Sequence, residues 1–119
     1  MSTTLFEQLG GKDAVNAAVD IFYTKVLADD TINHLFDNTD MPKQIGKQKA
    51  FLTYAFGGAP NYPGASMRKA HEGFNLTEAH FAAVAGHLQS SLEDLNVPAD
   101  LVNQVMNIAA STHDDILGL

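Results

Sequence analysis

A chain of 119 residues with a net charge of −7 is sized for one domain, expected to span residues 1–119, and can bury roughly two thirds of its unfolded surface. Seven Lys plus Arg in total argue against nucleic acid and against an anionic membrane surface, both of which need clustered cations. With no cysteine there is no disulfide, thiolate metal site or Cys nucleophile, so a metal must be held by His, carboxylate or amide. The start of the chain has neither a basic nor an apolar leader, and no segment is apolar for long enough to span a bilayer, so the expected location is the cytoplasm.

Thr4-Leu-Phe-Glu7 matches a capping box, in which hydroxyl and carboxylate each satisfy a backbone N–H left free at a helix start. Gly10-Gly11 stops that helix within about two turns, and Asp13 is placed to cap a second one. The apolar face of that second helix is Val15, Ala18, Val19, Phe22, Val26 and Leu27, with Tyr23 beside it. Thr31–Phe36 reads as a short helical turn and Asp37–Asp40 as a polar loop. Asp40 and Pro42 suit the first turn of a third helix, because Pro is tolerated where its missing N–H has no partner anyway. Gly57-Gly58 ends it.

Ala59–Gly64 is an irregular connection rich in Pro, Asn and Gly, followed by a short helical piece, Ser66–His71, that Gly73 interrupts. Thr77 caps a longer helix carrying Phe81, Val84, Ala85, Leu88, Leu92 and Leu95. After a break at Asn96–Asp100, the helical period of Leu101, Val102, Val105, Ile108, Ala109 and Ile116 runs on towards the end. No strand-like alternation occurs. The expectation is an all-α fold whose two longest helices lie in its C-terminal part.

Spacing removes several kinds of site. Gly11-Lys12 lacks the phosphate-loop pattern, His71-Glu72 has Asn75 where a zinc protease needs a second His, and no Glu is followed three residues later by His. What remains is an odd helix face. Gln44, Lys47, Gln48 and Phe51 fall at i, i+3, i+4 and i+7, so one stripe opens with two amides and an ammonium and ends in a residue that wants burial.

His34, His80, His87 and His113 read as surface or interhelical residues. His71 differs, because it closes a short helix just before the chain turns through Glu72, Gly73 and Phe74. With Tyr23 beside an apolar face, the amide stripe and seven Phe, it describes a flat apolar slot with one metal ligand on one side and hydrogen-bond donors on the other. A neutral imidazole is a good axial ligand for haem iron, and the polarity of the opposite pocket decides the fate of a bound gas. A phenol and two amides there favour a ligand that gains negative charge, by about 1 kcal/mol per donor. A haem-free helical interaction module is the competing reading; it leaves the polar stripe and the placement of Tyr23 without a reason.

With Leu5–Gly11, Phe22-Tyr23, Phe36, Asp40–Gln44, Lys49–Gly58, Met67–His71, His80-Phe81, Val84–Leu88 and Val97–Leu101 in this order, nearly the whole chain resembles a group I truncated haemoglobin of the cyanobacterial and ciliate kind. The two Gly-Gly pairs are characteristic of that family. The resemblance implies a truncated globin fold, a two-over-two helical sandwich, with one haem b per chain. It implies that His71 is the proximal iron ligand, that Tyr23, Gln44 and Gln48 form the distal network, and that Phe22, Phe36 and Phe51 pack around the porphyrin. Lys43 and Arg68 stand as propionate neighbours or as solvated surface residues.

Lys47 departs from relatives that carry an iron-binding His at its position. It pairs with a propionate or, as a neutral amine, supplies a sixth ligand itself. His113 lies near the place where certain cyanobacterial members attach haem covalently; non-covalent haem is the default expectation here. The implied ligands are dioxygen, nitric oxide and carbon monoxide, and the implied state is a monomer that binds dioxygen reversibly, in oxygen transport among other roles. The alternative is a nitric oxide dioxygenase, which turns nitric oxide to nitrate and needs an unidentified reductase.

Overall fold

The computed structural model describes residues 4–60, 67–71 and 74–119, with Met67 and Arg68 placed by backbone alone. Among these residues every regular element is helical: α1 Leu5–Leu9, α2 Gly11–Leu27, a 3-10 turn Asn33–Phe36, α3 Met41–Ala55, α4 Met67–Ala70, α5 Glu78–Asp94, α6 Ala99–Ala110 and α7 His113–Leu117. Three starts are capped at the residues the sequence suggests, though at α1 the hydroxyl half of the expected Thr4–Glu7 box forms without the carboxylate half. The hydroxyl of Thr4 accepts from the Glu7 amide, the carboxylate of Asp40 from the Lys43 amide, and the hydroxyl of Thr77 from the His80 amide. At α5 the third position is His80, whose Nδ1 accepts the Thr77 N–H at 3.1 Å and so replaces the usual carboxylate of a capping box. The expected connection beyond Pro60, the start of the short helix at Ser66 and the break at Gly73 lie outside the described residues.

Two expectations fail for identifiable reasons. Asp13 sits in the first turn of α2 and does not cap it, because Gly10 adopts φ 115° and lets the new helix start directly at Gly11. The C-terminal period does not belong to one helix. Ser111 and Thr112 turn their hydroxyls back onto the Ile108 and Ala109 carbonyls, and the chain breaks there before resuming as α7. As a result the longest helices are α2 and α5, of 17 residues each, followed by α3 with 15.

α2 is the hub. It packs on α5 across one face and on α3 across another, while α5 carries α6, giving the pairs α2/α3 and α5/α6. Val15, Ala18, Val19, Phe22, Tyr23 and Val26 on α2 are all buried, at the i, i+3, i+4, i+7 spacing that aligns one helix face. They meet Ile32, Leu52, Phe56, Leu92, Val102 and Val105. Each fully buried aliphatic side chain here contributes about 1.5–3 kcal/mol. Ion pairs tie the rim of the hub to its neighbours: Lys25 to Asp94 on α5 at 2.9 Å and Lys49 on α3 to Asp20 at 3.0 Å.

The second Gly-Gly pair has a steric reason. A Cβ on Gly58 would lie 2.6 Å from Cγ of Phe6, so only glycine lets that ring seat on the end of α3. The Phe6 amide also donates to the Phe56 carbonyl at 2.8 Å, which locks α1 onto the same place. Below this lock, between α1, α2, α3 and α5, lies an apolar cavity of about 160 Å³ lined in part by Leu9, Val15, Ala18, Leu52, Leu88 and Leu92.

No helix among the described residues is long and apolar enough to cross a membrane.

Candidate functional site

The buried face of α2 carries a polar atom inward at one place. Tyr23, 3 % exposed, puts its phenol among Phe22, whose ring centroid is 4.9 Å away, and Phe36, at 6.0 Å, both edge-on. Removing a hydroxyl from water without a partner costs several kcal/mol, so a partner is required. Gln44 supplies it. The Asp40 cap fixes the first turn of α3, the Gln44 amide N–H donates to the Asp40 carbonyl at 2.9 Å, and the side-chain Nε2 donates to the Tyr23 hydroxyl at 3.1 Å.

Burial pushes the Tyr23 phenol above its ordinary pKa of 10.0, and the Gln44 bond pulls it back in part. At neutral pH the phenol therefore keeps its proton. Among the described residues the bond from Gln44 is the hydrogen bond this hydroxyl makes, and it makes it as acceptor. Its own O–H is left to donate.

The polar stripe of α3 divides on folding. Gln44, Gln48 and Phe51 are half-buried, and Phe51 packs against the core, whereas Lys43 and Lys47 are exposed. Lys47 thus stands at the solvent edge of the stripe. Phe22 and Phe36 close around Tyr23 as described, and Phe36 is brought there by the 3-10 turn.

His71 comes from a different part of the molecule. It follows the single turn of α4, is half-buried, and its carbonyl accepts the Phe74 N–H at 3.4 Å. α4 packs against α7. The side chain of Arg68 lies outside the described residues.

His113 opens α7. Its Nε2 is 2.8 Å from the Glu78 carboxylate at the start of α5, its Nδ1 is 2.9 Å from Asp114, and its ring stands edge-on to Phe81 at 5.0 Å. Glu78 first and Asp114 second raise its pKa above 6.5. Sequence spacing could not reveal this pair, nor His87 Nε2 against Asp29 Oδ2 at 2.7 Å, where α5 clamps the end of α2. Asp29 also accepts from the Thr31 hydroxyl and amide, and with His87 these hold its carboxyl down at about 2. The clamp fixes the start of the segment that leads to Phe36. His34 and His80 meet ring to ring at 6.1 Å.

This chain is matched over residues 4–117 by the sequence profile of the bacterial-like globins. It is 50 % identical over 113 residues to the group 1 truncated haemoglobin of Synechocystis sp., covering 92 % of this chain and 91 % of the relative. With the group 1 truncated haemoglobin of Tetrahymena pyriformis it shares 43 % identity, over 97 % of this chain and 95 % of that one. The crystal structure of the 2/2 haemoglobin from Synechococcus sp., in the cyanomet state and with covalently attached haem, superimposes with a TM-score of 0.94 at 48 % identity, covering 98 % of this chain and all of that one. The Fe(III) form of the Tetrahymena pyriformis protein gives 0.92 at 42 % identity, over 97 % and 98 % of the two chains. The all-helical order found here is therefore the two-over-two globin arrangement, and the chain belongs to the bacterial-like globins as a group 1 truncated haemoglobin, which implies a haem and gaseous ligands such as dioxygen.

Proposed function

We propose that this protein binds dioxygen reversibly at one haem b per chain, with His71 as proximal ligand and Tyr23, Gln44 and Gln48 as the polar side of the pocket. The observation that carries this reading is the spare proton of Tyr23. A haem supplies a ferrous centre that takes up dioxygen, nitric oxide or carbon monoxide; everything else falls to the side chains.

The residues present fit that group. Tyr23 holds a neutral O–H in an apolar surround and has its lone pair, not its proton, engaged by Gln44. Gln44 so fixes the phenol's orientation and leaves the donor for an acceptor that gains negative charge. Gln48, one turn further along α3 and half-buried, adds a second amide on the same inward side. Phe22 and Phe36 keep water from competing for the phenol. In solved structures of the Tetrahymena pyriformis protein, a tyrosine has been changed to phenylalanine and two glutamines to glutamate. Those three share the sequence spacing of Tyr23, Gln44 and Gln48, which supports the same distal trio here.

The exposure of Lys47 disfavours a place on the iron and leaves its ammonium at the solvent edge of the pocket. The contacts of His113 Nε2 with Glu78 and of Nδ1 with Asp114 occupy both ring nitrogens, which favours non-covalent haem. Full release of haem into acidified organic solvent is expected, and retention would reverse that assignment.

The deciding experiment is the absorption spectrum of the haem-loaded protein, deoxygenated and ferrous, at neutral pH. A Soret band with a five-coordinate visible spectrum is expected. A six-coordinate one would put an internal ligand on the iron, and no Soret band after haem addition would remove the reading altogether.

A further inference from the structure

The charge of the chain is divided between two regions. Residues 41–71 carry Lys43, Lys47, Lys49, Arg68 and Lys69, five of the seven cations, and not one of the fourteen acids. This is the stretch that provides α3 and α4, one on each side of the proposed haem, and the rest of the molecule is strongly acidic. The acids nearest in sequence stop at Asp40, the N-cap of α3.

Within the basic stretch the charges are not all available. Lys49 is committed to Asp20, as Lys25 elsewhere is to Asp94. Lys43 and Lys47 are different. They are exposed, one turn apart on the same side of α3, flanking Gln44, and neither pairs with a carboxylate among the described residues. Two like charges at this spacing destabilise a helix by a few tenths of a kcal/mol, so local structure gives no reason for them. The two propionates of a haem would offset only part of the charge of the whole stretch.

We infer that Lys43 and Lys47 form the docking point of an acidic one-electron donor, a flavoprotein whose cofactor edge is ringed by carboxylates. The inference rests on the haem reading above. An oxygen-binding haem that has lost an electron must regain one, and the transfer needs close approach at the haem edge. An acidic partner is repelled by most of this surface and attracted at α3, so the field itself selects the productive orientation. The step is a single electron transfer. An anionic flavin hydroquinone gives up one electron and becomes the neutral semiquinone, ferric haem becomes ferrous, and no proton or covalent bond changes hands.

The probe is a reduced flavodoxin with an acidic face, mixed with the haem-loaded ferric protein, and the reduction rate is followed as salt is raised. The rate should fall about tenfold or more between 20 mM and 0.5 M salt, as screened attraction requires. At low salt the Lys43→Glu/Lys47→Glu variant should be slower by about tenfold, and Lys12→Glu, at the start of α2, by less than twofold. Independently of turnover, titrating flavodoxin into the ¹⁵N-labelled carbon monoxide form should shift backbone amides of α3 before those of α5 or α6. A salt-insensitive rate, an unslowed double variant, or amide shifts absent from α3 would each overturn the docking site while an intact Soret band leaves the haem reading standing. A chain that takes up no haem would sink both.

Discussion

The two sides of the proposed site are built in opposite ways. On the α2/α3 side Tyr23 is buried and bonded to Gln44, and two aromatic rings and the capped start of α3 hold the pair in place. On the other side His71 hangs from α4, four residues long, which packs against α7. A single turn has no stability of its own, since nucleation costs more than one hydrogen bond returns. The lesson is that the donor side is preorganised by the chain, whereas the ligand side depends on tertiary support.

The largest expected effect tests that dependent side. His71→Ala should lose iron coordination and most haem retention, read as loss of the Soret band on gel filtration after haem addition, with helical circular dichroism largely preserved. A variant that keeps a normal ferrous spectrum would mean that another side chain holds the iron. Next comes the frame of the organised side. Gly58→Ala forces a methyl into the Phe6 ring and should destabilise the fold by about 1–3 kcal/mol, seen as a lower urea midpoint at unchanged slope.

A smaller, more specific effect belongs to the phenol. Tyr23→Phe keeps the ring packing and removes the donor, at about 1 kcal/mol or somewhat more for a partly charged acceptor, so dioxygen should dissociate several-fold faster. Stopped-flow displacement by carbon monoxide measures this, and an unchanged off-rate would end the donor assignment. Least of all is Glu78→Gln. Because Glu78 raises the His113 pKa, its stabilisation is fully present below about pH 6.5 and is lost as pH rises through the raised value. The variant should flatten the stability profile in that window and leave the alkaline limb unchanged.

Much of the organised side was legible because it is written in local chemistry. Thr4, Asp40 and Thr77 announce their helices, and the period of α2 places Tyr23 on the buried face beside Phe22. The polar stripe on α3 was readable too, but its division was not. Spacing put Lys47 on the same stripe as Gln44 and Gln48, and which edge of that stripe is left in solvent is a property of packing. The hydroxyl-induced break before α7 was hidden for a related reason: Ile116 stays in phase with the apolar period across the interruption. Contacts such as Glu78 with His113 or Asp29 with His87 span distant positions and leave no local signature.

The apolar cavity beneath the Phe6 lock has a mechanical consequence. Space lined by aliphatic side chains is lost when water solvates the unfolded chain, so unfolding shrinks the total volume of protein plus solvent. Hydrostatic compression should therefore favour unfolding of this globin, and the α1 end of the α2 hub, where Val15 and Ala18 line that space, is the part that gives way to it first.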